Sequence, residues 1–293
     1  MTTAAPPSLR TLIGAEQLRD LLASGADVAV IDARFDLADP DPAAGERAWH
    51  EGHLPGSIYL HLDRDLCSAT TGPDGVFRGR HPLPERRDFA QTLARCGITP
   101  ATQVVALDAH GGVYASRLWW MLRWMGHANV AVLDGGLGAW TAAGGPLATA
   151  APTRAAAPAY PERPPLVATV DASTVSRRLG AVALIDARAG ERFRGEVEPL
   201  DKAAGHIPGA SNRFFKDNLA ADGRFKPAEQ LRAEFTALLG ARPAAEVVHQ
   251  CGSGVTACHN LLAMEHAALS GSLLYPGSWS EWSSDPARPI ATG

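Results

Sequence analysis

No apolar run in the chain reaches the roughly 18 to 20 residues that a membrane-spanning helix needs. Even Val113 to Leu133 is broken by Arg117, Arg123 and His127. Basic charge is not in excess either: 27 Lys and Arg stand against 31 Asp and Glu, for a formal charge of −4. That balance offers no cationic face to nucleic acid or to anionic lipid, and a small-molecule or protein partner is expected instead. Lysine is almost absent, confined to Lys202, Lys216 and Lys226, and the arginines are scattered rather than clustered. Cysteine is scarce. Cys67, Cys96, Cys251 and Cys258 are too few and too irregular for a disulfide framework, and no Cys or His cluster has zinc-ligand spacing, so no metal is expected. Met1 to Asp20 lacks the basic-then-apolar pattern of a secretory signal, and the chain is read as soluble and cytoplasmic.

What is present is an ordinary globular composition, 46% hydrophobic and 20% charged over 293 residues, enough for two domains. The chain also repeats itself. Val28-Ala-Val-Ile-Asp-Ala-Arg34 recurs as Val182-Ala-Leu-Ile-Asp-Ala-Arg188, and Gly52-His-Leu-Pro-Gly56 as Gly205-His-Ile-Pro-Gly209, at offsets of 154 and 153. Val104-Val105 answers to Val247-Val248, and Asp134 to Trp140 answers to Pro276 to Trp282, at offsets of 143 and 142. The shrinking offset locates about ten extra residues in the first copy, most simply in the loop from Ser68 to His81. Between the copies, prolines 152, 158, 161, 164 and 165 deny the segment a helix or a central strand. Two tandem domains, 8–146 and 166–293, are expected on either side of a stiff Pro/Ala-rich linker, 147–165.

Short Val/Ile-rich runs look like buried parallel strands: Val28 to Asp32, Val104 to Leu107, Val130 to Leu133, Ala183 to Asp186 and Glu246 to Gln250. Helical periodicity fills the gaps at Ala15 to Ala23, Pro84 to Cys96, Tyr114 to Met125, Thr169 to Leu179, Pro227 to Leu239 and Val255 to Leu269. Such alternation implies an α/β fold with a mainly parallel, doubly wound sheet in each domain, its ligands gathered beyond the carboxyl ends of the strands.

One strand-to-helix loop carries chemistry. Cys251-Gly-Ser-Gly-Val-Thr-Ala257 leaves the strand at Gln250 and runs straight into a helix, so backbone N–H groups and the helix N-terminus converge on the sulfur and favour a thiolate. Its glycines let the backbone curl around an anion. Cys67, Cys96 and Cys258 have no such setting and read as buried, inert thiols. A cradled cysteine serves either phosphate-ester cleavage or sulfur transfer. The first requires an arginine six positions on to clamp phosphate, and that position is Ala257.

Together, the duplicated strand-Asp-Ala-Arg, the paired Gly-His-(Leu/Ile)-Pro-Gly, the cysteine loop and the closing Gly-Ser-Trp-Ser-Glu-Trp282 resemble the two-domain rhodanese superfamily over nearly the whole chain. The loop is similar to that of the 3-mercaptopyruvate sulfurtransferase branch; the thiosulfate branch typically places basic residues where Gly252 and Ser253 stand. In the first copy Asp108 occupies the cysteine position, as the resemblance implies for a non-catalytic amino-terminal domain. The resemblance further implies a ping-pong reaction without metal or organic cofactor, in which Cys251 takes sulfur from the donor as a persulfide, releases pyruvate and passes the sulfur to an acceptor. That acceptor would be thioredoxin, a small thiol or cyanide. Ser253, Asp63 and His81 match the family's proton-handling set, with Asp65 as an alternative to Asp63. Gly252, Gly254, Val255 and Thr256 are expected to form the substrate-binding backbone, and Arg192 matches the family's carboxylate-binding arginine, with Arg188 and Arg194 nearby. A second family arginine aligns with Leu200; Lys202 or Arg194 are its candidate substitutes.

Other conspicuous residues read as structural. His53 and His206, shared by both copies, are expected to fix turns. Asp32 with Arg34 and Asp186 with Arg188 are expected to maintain the fold, and Trp119, Trp120 and Trp124 to form one buried helical face. Tyr114, just after the silent loop, is a candidate to face the active site across the interface. Three functions remain on these grounds: a 3-mercaptopyruvate sulfurtransferase, a thiosulfate sulfurtransferase with a relaxed donor site, or a non-enzymatic persulfide carrier for a protein partner.

Overall fold

In a computed structural model, which describes residues 9–293, the Val/Ile runs become the centres of two parallel sheets. The boundary at residue 8 and the first eight residues of the stretch read for a leader lie outside the described residues. In the first sheet, strands β1 (Leu12–Ile13), β2 (Val28–Asp32), β3 (Ile58–Tyr59), β4 (Gln103–Leu107) and β5 (Val130–Leu133) are ordered β1-β5-β4-β2-β3. In the second, β6 (Ala183–Asp186), β7 (Ala210–Asn212), β8 (Val247–Gln250) and β9 (Leu273–Leu274) are ordered β7-β6-β8-β9. Every pairing is parallel, which requires helical crossovers on the sheet faces and explains why the central strands read as unbroken apolar runs.

The register carries the repeat into three dimensions. Asp32 pairs with Leu107 at the end of β2 and β4, and Asp186 with Gln250 at the end of β6 and β8, so the loops after Leu107 and Gln250 leave equivalent places. Among the described residues the second sheet has no counterpart of β1; a single parallel bridge from Thr169 to Leu274 stands in its place. Strands β1, β3, β7 and β9 are two or three residues long and were invisible to periodicity. The expected helices are found, trimmed at their ends: Arg86–Arg95 for 84–96, Ala172–Arg177 for 169–179 and Ala257–His266 for 255–269.

One expectation needs correction. The helix Val113–Trp124 does not bury a single face: every residue from Val113 to Arg123 is buried. It lies between its own sheet and the second domain's helix Ala257–His266, and one hydrophobic core containing Leu118, Trp120, Leu261 and Leu262 runs through both domains. A helix buried all round is one packed on all sides. The proline-rich segment forms no helix or strand; Arg154 ties it to Asp27 and to the Gly97 carbonyl, and the buried Tyr160 hydroxyl bonds His127 Nδ1 at 2.8 Å.

Among the described residues no helix is long and apolar enough to cross a membrane.

Candidate active site

At the end of β8 the chain turns through Cys251 to Thr256 before the helix Ala257–His266 begins. Gly254 makes this turn possible. Its φ is +78°, and a Cβ there would run into the Pro276 carbonyl oxygen. The turn brings the Gly254 amide to 3.2 Å from Cys251 Sγ, while the Cys251 amide donates to Ser278 Oγ at 3.1 Å.

The equivalent loop of the first domain displays what such a turn holds. The Asp108 carboxylate accepts from the amides of His110, Gly112, Tyr114 and Ala115 at 2.8 to 3.0 Å, so this domain fills its own anion cradle with its own side chain. In the second domain the acidic residue is replaced by a cysteine. The other thiols are poor nucleophiles: burial pushes Cys67 and Cys96 up to about 11 and Cys258 up to about 12.

The loop does not stand alone. His81, from the long first-domain loop, places Nδ1 2.7 Å from Ser253 Oγ, and its Nε2 lies 3.3 Å from Asp63 Oδ1. The three residues expected to act together are therefore brought together across the domain interface. Asp63 is resolved from Asp65, whose buried carboxylate is taken up by the His61 amide, Arg64 and Arg95. Burial lowers the pKa of His81 despite the opposing pull of Asp63, so the ring is neutral near pH 7. The hydrogen bond from His81 in turn lowers Asp63, which is ionised. A carboxylate at Nε2 assigns the ring proton there; Nδ1 is then a lone pair, and the Ser253 hydroxyl donates to it.

A cavity of about 200 Å³ opens on Cys251, Gly252, Ser253, Val255 and Thr256. Tyr114 lines it from the first domain, as its position suggested, and Leu37, Leu62, Phe214 and Phe215 make an apolar wall. Arg192 lines it too and bonds Glu198 at 2.6 Å and Asp201 at 3.2 Å. Neither proposed substitute for a second arginine is in position: Arg194 pairs with Glu196 on the surface, Lys202 is exposed, and neither lines the cavity.

Two residues there escaped the sequence reading. Arg80, immediately before His81, lines the cavity beside Arg192 and pairs with Asp201. Its only sequence signal was adjacency to His81. Arg117 is wholly buried and donates to the Gly254 and His81 carbonyls, both at 3.0 Å, tying the cysteine loop to the histidine loop.

The residues assigned to the scaffold behave so, with one addition. His53 bonds the Trp49 carbonyl at 2.8 Å and stacks on the Trp49 ring; His206 does the same with Phe193. Arg34 bridges Asp32 to the Gly52 carbonyl and Arg188 bridges Asp186 to the Gly205 carbonyl, but Arg188 also lines the cavity.

Two parallel sheets with a cradled cysteine at the tip of one define a duplicated sulfur-handling α/β scaffold, and the chain belongs to the rhodanese family: the rhodanese-like domain matches residues 14–143 and again 171–285. Among its relatives, a Pseudomonas aeruginosa protein named "Probable 3-mercaptopyruvate sulfurtransferase" is 48% identical over 96% of this chain and 98% of its own. A Mycobacterium tuberculosis protein named "Putative thiosulfate sulfurtransferase SseB" is 39% identical over 97% of this chain and 98% of its own. Among solved structures, the 3-mercaptopyruvate sulfurtransferase from Leishmania major superposes with a TM-score of 0.83 at 28% identity, over 96% of this chain and 76% of that one.

Proposed function

We propose that the protein is a sulfurtransferase that takes sulfur from 3-mercaptopyruvate onto Cys251 and passes it to a thiol or cyanide. The observation that carries this reading is the hydrogen-bonded line from Asp63 through His81 to Ser253, which ends on the cysteine loop and gives the reaction a route for the proton it must move. The 48% identity to a relative named for that donor, against 39% to one named for thiosulfate, supports the same choice.

In the first half-reaction the Cys251 thiolate attacks the donor's sulfur. The S–S bond forms as the C–S bond breaks, and the electron pair leaves on carbon as the enolate of pyruvate. The thiol proton passes through Ser253 and His81 to that enolate carbon, which gives pyruvate and leaves a persulfide anion on Cys251. Asp63 holds the His81 tautomer and stabilises the ring while it carries charge. The Gly254 amide, 3.2 Å from Cys251 Sγ, is the donor placed to meet the persulfide in the loop equivalent to the one that holds Asp108. An acceptor thiolate then attacks the outer sulfur and returns Cys251 as thiolate. A persulfide carrier without turnover would need the cysteine alone, and the relay argues for turnover.

The test is to mix reduced protein separately with limiting 3-mercaptopyruvate and thiosulfate, quantify pyruvate and sulfite, and map the added sulfur by mass spectrometry. Pyruvate release with one sulfur atom on Cys251, abolished in Cys251→Ser, is the expected result. Faster loading from thiosulfate would reassign the donor, and transfer that survives Cys251→Ser would overturn the mechanism.

A further inference from the structure

We propose that Arg80, a residue of the domain without a cysteine, is the second arm of the donor's carboxylate clamp, so that specificity is set from both sides of the domain interface. This rests on the keto-acid reading above.

Leu200, at the position where the resemblance puts a second arginine, is 44% exposed and contributes nothing to the cavity. Arg80 fills the gap from another part of the chain. A Cβ built on Gly252 would lie 3.0 Å from Arg80 Nη2 and 3.5 Å from Arg192 Nη1, so two guanidinium groups converge on the residue next to the nucleophile. Their opposite arms are engaged: Arg80 Nη1 and Arg192 Nη2 share the two oxygens of Asp201, whose side chain is 3% exposed. Asp201 thus holds both cations at a fixed separation while their Gly252-side nitrogens remain outside those bonds. The Nε atoms of both arginines are buried without a hydrogen-bond partner. Buried donors left unspent beside a cavity mark a place for an acceptor.

Charge narrows the acceptor. Arg80, Arg188 and Arg192 are matched by Asp186, Glu198 and Asp201, so the corner offers directed N–H groups and little net field. Two N–H arms from two guanidiniums suit the two oxygens of one planar carboxylate, whereas a compact dianion is favoured by unpaired charge. A carboxylate held above Gly252 leaves a three-carbon thiol spanning toward Cys251 Sγ. The same contact explains why position 252 is glycine: any side chain would occupy the clamp.

The experiment compares wild type, Arg80→Gln and Arg80→Lys for steady-state turnover of 3-mercaptopyruvate and for inhibition by pyruvate, a carboxylate with no sulfur to transfer. In Arg80→Gln, KM and the pyruvate inhibition constant are expected to rise together by about 10- to 100-fold, with kcat within about threefold. Arg80→Lys keeps the ion pair to Asp201 but loses the fork, and both constants should rise by at least about fivefold even if Arg80→Gln unfolds. A KM within about twofold of wild type in the lysine variant, or a fall in kcat with both binding constants unchanged, overturns the clamp and leaves Arg80 a strut between domains. Wild type that releases no pyruvate would overturn the donor assignment itself, an outcome read before any variant is made.

Discussion

His81 carries a pH dependence that can be worked out from its surroundings. Burial outweighs the attraction of Asp63 and holds its pKa below the ordinary 6.5. A base that must be neutral works on the alkaline side of its pKa, so the acid limb of kcat/KM for the donor is expected below pH 6.5. Asp63→Asn removes the charge that pulls the pKa up, and its amide can offer a donor to Nε2, forcing the proton onto Nδ1 and denying Ser253 its acceptor. The plateau should fall by about 100-fold or more while the limb moves to lower pH. A pH profile that shows the limb moving upward, or an unchanged plateau, would remove Asp63 from the relay. At this scale the sequence was informative where a motif names a position and silent where only packing decides. Cys251 and Ser253 stand in a recognisable loop, but Asp63 and Asp65 are two residues apart on the four-residue helix Leu62–Asp65, and only the fold shows which carboxylate meets His81. Arg80 and Arg117 were unreadable for the same reason: their partners lie more than a hundred residues away, at Asp201 and Gly254.

Strand, turn and helix form the unit that makes the cysteine usable, and Gly254 is where that unit is most constrained. At Gly209 φ is +81° with nothing near a built Cβ, so alanine there meets only the cost of a left-handed backbone; at Gly254 the same φ is combined with a collision against Pro276. Gly209→Ala is expected to cost about 1 kcal/mol and Gly254→Ala about 2 kcal/mol or more, read by urea unfolding, with donor turnover lost only in the second. Equal costs would mean that the loop moves aside and that Pro276 does not define it. Elements were legible in proportion to their length. Five-residue strands such as β2 declare themselves by an unbroken apolar run, whereas the two residues of β3 are too short to show a period and acquire strand geometry only by pairing with Ile31 and Asp32. Helix ends were over-read because the extra residues are cap and turn, not helix: the 255–269 expectation includes Val255 and Thr256, which belong to the cysteine loop, and Ala267 to Leu269, where Ala268 turns to positive φ.

Duplication organises the whole molecule, since each domain caps the other's loop. The first-domain loop that ends in His81 lies against the cysteine loop, and in return the second-domain turn Leu219–Phe225 lies against the silent one: the Phe225 amide donates to Asp134, and its ring stacks on His259 beside Gly112. The ten extra residues expected as one insertion at 68–81 are divided: both domains carry the same hairpin, Thr71–Phe77 and Leu219–Phe225, and five residues are added before it and five after it, the latter in the stretch that holds His81. On the silent side the interface is closed by His259. Its Nε2 donates to the Gly111 carbonyl at 3.0 Å, and its Nδ1 accepts from the Asn218 amide at 3.1 Å, an arrangement only the neutral ring can satisfy. Full burial, opposed by the bond to the Gly111 carbonyl and then by Asp108, lowers its pKa to about 4. An unfolded chain takes up that proton near pH 6.5, so the folded state loses stability progressively as pH falls from there toward about 4, by at most about 1.4 kcal/mol per pH unit for this one group. His259→Gln should lower stability at pH 7.5 yet flatten its acid dependence by about one proton, measured as the slope of unfolding free energy against pH. An unchanged slope would mean that His259 is already protonated in the folded interface, with Nδ1 no longer accepting from Asn218.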